Sequence, residues 1–167
     1  PAYDFYRSAL QGHAPGATFV IGQTPAPRLS GEEHGVLASG AVGSRWASRF
    51  RVFRYEIRSW RGGHIPDVAE AVDSTRRLSS DGAQVRPVLD TVPQVPTPVW
   101  GRDDFGTGEM WNSNSVIAWV IARSVIDTAP IHPPPGGRAP GWHAGLVVAR
   151  RSGADGVPDR EAAGLRE

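Results

Sequence analysis

The sequence predicts an α+β domain in which an antiparallel sheet of about four or five strands packs on a central buried helix. Three observations carry this. Strand-like apolar runs bounded by Gly and Pro occur at residues 17–22, 35–40 and 49–60. Residues 116–126 are apolar around most of a helical circumference, the pattern of a helix that lies inside a domain. The chain has 167 residues with 40% hydrophobic content, enough for one core and too little for two comfortable ones. Residues 1–150 are therefore expected to form a single domain, with residues 151–167 as a frayed, charged tail.

The elements follow in order. Residues 3–10 read as a short helix, broken by Gly12 and by Pro15-Gly16 before the strand at 17–22. A Pro-containing polar loop leads to the second strand at 35–40, which Gly43 and Ser44 turn. In residues 49–60 two alternating halves run out of phase by one. A bulge at Val52-Phe53 would place Phe50, Val52, Phe53, Tyr55 and Ile57 on one face and Arg49, Arg51, Arg54, Glu56 and Arg58 on the other. That polar row is either the solvated face of a half-buried sheet or a contact surface for an anionic partner, with Arg54 and Arg58 as its binding residues. Residues 66–72 read as a short helix with Pro66 near its first turn, and Asp81 as the N-cap of a second helix over 82–91. Pro93, Pro96 and Pro98 then favour an extended crossing to Val99-Trp100-Gly101. A rigid loop follows at 130–137, and residues 143–149 read as a closing strand.

Composition excludes several classes of function. There is no cysteine, so disulfide scaffolds, thiolate zinc sites and cysteine nucleophiles are ruled out. All 18 basic residues are Arg, yet the net charge is only +1, which argues against a strongly cationic nucleic-acid binder. No stretch reaches the about 18 consecutive apolar residues of a membrane span. The start at Pro1 fits a processed form or an excised domain, with room for a preceding signal or anchor. No His pair has helical i, i+4 spacing, and Asp103-Asp104 near Glu109 lacks the alternation of a calcium loop, so no metal or cofactor is expected. The six Trp residues either line a cleft or anchor core and loops.

The distinctive local feature is the run Asn112-Ser113-Asn114-Ser115, four small polar residues of capping type at the head of the apolar segment. The Val and Ile content of that segment also suits a buried strand, but its length favours a helix. A helix beginning at Thr107 would instead make the polar run interior, with Glu109 in its first turn. Starting at Asn112, the helix would present unpaired N–H groups and its positive dipole end, the setting in which several enzyme classes hold a nucleophile.

This run followed by an apolar helix resembles the Asn-Cys-Asn-Ser/Thr run of the circularly permuted papain-like superfamily, which includes the PPPDE peptidases and the lecithin-retinol acyltransferase-like proteins. The resemblance spans residues 34–126. It implies permuted papain-like topology, with Ser113 where the nucleophilic Cys stands, His34 at the head of an earlier strand as its base, and Asn112 or Asn114 as oxyanion or orienting groups. Residues 106–122 also resemble uncharacterised actinobacterial proteins, a likeness that carries no function. The Ser matters physically. A Cys beside a His at a helix N-terminus is readily a thiolate, whereas a Ser hydroxyl must lose its proton to an oriented base in the transition state.

His13 and His143 are alternative bases, the latter suiting the unpermuted papain order, and His64 and His132 lie in Gly- or Pro-rich loops. Two functions therefore stand. One is a degenerate or serine-variant hydrolase acting on an amide, thioester or ester bond. The other is a non-catalytic binding or assembly module of a larger complex, with a protein or peptide-like partner.

Overall fold

A computed structural model of the chain describes residues 4–5, 9–14, 17–25, 36–42, 54–61, 77–79, 81–124, 126–133 and 135–154. Its mixed α+β class is the one the sequence predicts. In chain order the elements are β1 (Asp4–Phe5), β2 (Leu10–Ala14), β3 (Ala17–Pro25), β4 (Val36–Ala41), β5 (Arg54–Arg61), α1 (Val85–Thr91), α2 (Ser113–Arg123), β6 (Gly137–Arg138) and α3 (Trp142–Ala154). One sheet is antiparallel with spatial order β2-β3-β5-β4, and β1 pairs in parallel with β6.

Several expectations are corrected. At the N-terminus the described residues are strand and not helix: Asp4 and Phe5 pair with Gly137 and Arg138, and Leu10 opens β2. Long-range pairing overrides local propensity there. β2 runs antiparallel to β3 with Ala14 opposite Ala17, so the Pro15-Gly16 break joins two strands of a hairpin. The closing strand expected at 143–149 is part of α3, whose buried Ala144, Val148 and Ala149 fall at helical spacing. The helix continues through Ala154, beyond the point where the tail was expected to begin. The helix expected at 66–72 and the bulge at Val52-Phe53 lie outside the described residues. A register irregularity does occur in the partner strand, between Val36 and Ala38 of β4.

β5 is the centre of the sheet, paired with β3 on one side and β4 on the other. Tyr55 and Ile57 are fully buried and join Ile21 and the α2 residues Val116, Ile117, Val120 and Ile121 in the core. Adjacent strand residues face opposite ways, so Val20 and Glu56 lie on the other face. Both are buried there, at 1% and 9% exposure. The Arg-Glu-Arg row is thus not a uniformly solvated face, because the sheet is covered at Glu56 as well. Arg54 is exposed at the start of β5 and takes part in an interaction of its own. The Arg58 backbone pairs with Gly22 and Val36, and its side chain lies outside the described residues.

Asp81 caps the next helical segment as its sequence position implies, its carboxylate accepting from Ala83 N at 2.8 Å. A short 3-10 turn, α1 and a second 3-10 turn over Val92–Gln94 follow, and Val88, Val92 and Val95 point into the core. The proline-rich crossing then delivers Trp100, whose N–H donates to Ala41 O at 2.8 Å, extending the β4 edge by one parallel bridge at Val42. Tyr55 holds the crossing from inside: its hydroxyl donates to Pro98 O at 2.9 Å and its ring meets Trp100 edge-on. Burial, with Asp104 nearby, pushes the phenol well above its ordinary value, so it stays a donor.

α2 is buried from Ser113 through Ile121 and packs on both the sheet and α3. Each of its fully buried Val and Ile side chains contributes about 1.5–3 kcal/mol through removal from water. Its closest neighbour is α3, and Gly145 sets that approach. A Cβ at Gly145 would collide with the Ser115 carbonyl oxygen and lie 2.8 Å from Ala118 Cβ, neither of which can yield without moving backbone. In the same helix, a Cβ at Gly153 would meet only the tip of the flexible Arg123 side chain, at 3.0 Å. Gly145→Ala is therefore expected to lose about 1–3 kcal/mol through overpacking. Gly153→Ala is expected to be neutral or to gain up to about 1 kcal/mol from helix propensity. Urea denaturation of the two variants checks the opposite signs.

Candidate functional site

The site is built around the start of α2. Residues 101–111 form a closed loop: Gly101 N donates to Trp111 O at 2.9 Å and Trp111 N to Arg102 O at 2.8 Å. Both aspartates of this loop are structural. Asp104 accepts from Val99 N at 3.0 Å, and Asp103 from Thr107 N and Gly108 N, each at 2.8 Å. Those N–H bonds hold the Asp103 carboxyl below its ordinary value. Arg151 of α3 ties the loop down by donating to Phe105 O at 2.8 Å, and Phe105 packs edge-on against the buried Trp111.

The helix begins at Ser113 with Asn112 as N-cap, so Glu109 precedes it and is not a first-turn acid. Asn112 Oδ1 accepts from Asn114 N at 2.9 Å and Ser115 N at 3.3 Å, while Ser115 Oγ accepts from Asn112 N at 3.0 Å. This reciprocal pair is a capping box made by Asn and Ser. Because the oxygen of the Asn112 amide is committed to the helix, its nitrogen faces outward, donating to Pro140 O at 2.9 Å. Asn114 Nδ2 donates to the same carbonyl at 3.0 Å. One backbone oxygen thus joins both amides to the residue two positions before α3.

The partner segment is shaped to receive them. Gly141 sits at φ +85°, a conformation L side chains rarely adopt, and its N–H donates to Glu109 Oε2 at 2.9 Å. A Cβ there would overlap Asn112 Oδ1 and Ser115 Oγ, at 2.5 and 2.6 Å. The capping residues of α2, the carboxylate of Glu109 and the Pro140-Gly141 turn therefore form one interlocked unit.

Ser113, the residue at the nucleophile position, is 9% exposed, and its hydroxyl makes no hydrogen bond among the described residues. His34 and His64 lie outside the described residues. His13 is exposed in β2 with Nδ1 3.0 Å from Thr18 Oγ1, and His132 is exposed with Nδ1 3.3 Å from Pro133 O. His143 is exposed on α3 and does not head a strand. None of these three is hydrogen-bonded to Ser113. Four of the Trp residues are anchors: Trp111 and Trp119 are buried, and Trp100 and Trp142 pack against the core. Among the described residues the buried indole nitrogens of Trp111 and Trp119 have no hydrogen-bond partner. Among the described residues no three His, Asp or Glu side chains are grouped to hold a metal ion, and no helix is long and apolar enough to cross a membrane.

The sequence does not reveal Pro140, Gly141 or Glu109 as members of this unit. Pro140 takes part through its carbonyl, which every residue carries, and the only local signal is the Pro-Gly pair ahead of an apolar run. No protein-family model, curated protein or solved structure matches the chain.

Two expectations follow from the geometry. Asn112→Asp preserves the cap acceptor and adds a negative charge at a helix N-terminus, which alone would be neutral or stabilising. It also sets a carboxylate oxygen against Pro140 O, so a net loss of about 1–3 kcal/mol is expected in urea denaturation. For Asp103 the lowered carboxyl value gives the sign. Its contribution is complete above the ordinary carboxylate value and is lost as pH falls through the lower folded-state value. Asp103→Asn should therefore flatten the acid limb of the stability-against-pH curve and leave a smaller difference between neutral and acidic pH than in the wild type.

Proposed function

We propose that this chain is a non-catalytic binding or assembly module, a degenerate relative of the permuted papain-like hydrolases in which the residues flanking the nucleophile position have become a structural cap. The observation that carries this reading is the state of the two flanking amides. An oxyanion hole needs donors aimed at empty space where charge will develop. Asn112 Nδ2 and Asn114 Nδ2 instead meet on Pro140 O. Proton removal is the second obstacle, because a Ser hydroxyl requires an oriented base and among the described residues no imidazole is hydrogen-bonded to Ser113. Descent from the permuted architecture rests on the resemblance of the Asn112-Ser113-Asn114-Ser115 run and the apolar helix after it. Its partner in this reading is a protein or a peptide-like segment.

A serine-variant hydrolase acting on an amide, thioester or ester bond is the second reading. It is favoured by the Ser113 hydroxyl, which has no partner among the described residues and so is available for activation. In that case Ser113 is the nucleophile and His34 its base.

A fluorophosphonate probe separates the two. The module reading predicts that wild type and Ser113→Ala label equally, at the background of heat-denatured protein. Labelling of the wild type that disappears in both Ser113→Ala and His34→Ala, with folding intact by circular dichroism, would establish the hydrolase.

A further inference from the structure

We draw no further inference here: the strongest candidate, the Ser113 hydroxyl at the N-terminus of α2, belongs to the site already described, and no second group among the described residues converges on it.

Discussion

The carbonyl of Pro140 is the acceptor on which the α2–α3 half of the molecule depends. It receives the side-chain amides of Asn112 and Asn114 together, so the first turn of one helix and the approach to the next are fixed by a single oxygen. A carbonyl has two lone pairs and can take one N–H from each amide. Two consequences follow directly. The Asn112 amide is locked in one orientation, because its oxygen caps α2, and Gly141 must be glycine, because any side chain there would strike that oxygen. The clamp also sets the height at which α3 crosses α2, and Gly145 completes the contact by letting backbone approach backbone at Ser115.

This arrangement explains why four polar residues can open a helix buried through its first nine positions. Buried polar groups are tolerated when they are hydrogen-bonded. Asn112, Asn114 and Ser115 satisfy one another, the orphan N–H groups of the helix and the Pro140 carbonyl. Ser113 is the exception within the run. The preceding loop supports the same unit through Glu109 on Gly141 and through Phe105 against Trp111.

Local chemistry was legible in the sequence, and long-range acceptors were not. Asp81 and Asn112 are visible as caps because capping depends on residue type and on the next three positions. β5 is visible from its alternation, with Tyr55 and Ile57 facing the core. α3 reads as a strand because Leu146, Val147 and Val148 form a short apolar run, and periodicity cannot separate a short buried helix from a buried strand. Its helical identity lies in Ala144 and Val148 packing with the core, together with a Gly145 that only makes sense once α2 is beside it. β2, which carries Gly12 and the exposed His13, owes its strand to pairing with β3. Glu56 looked like part of a solvated row, and burial on the second face of the sheet is a tertiary fact that alternation cannot report.

The central claim is that the amides flanking Ser113 are structural donors and not catalytic ones. Hydrogen exchange of the side-chain carboxamide protons, followed by NMR, tests it most directly. Slow exchange at both Asn112 and Asn114, lost together when Gly141→Ala displaces the Pro140 turn, is the predicted result. Fast, solvent-like exchange at both carboxamides in the folded wild type would contradict the account, because it would leave those donors free for a reacting oxygen.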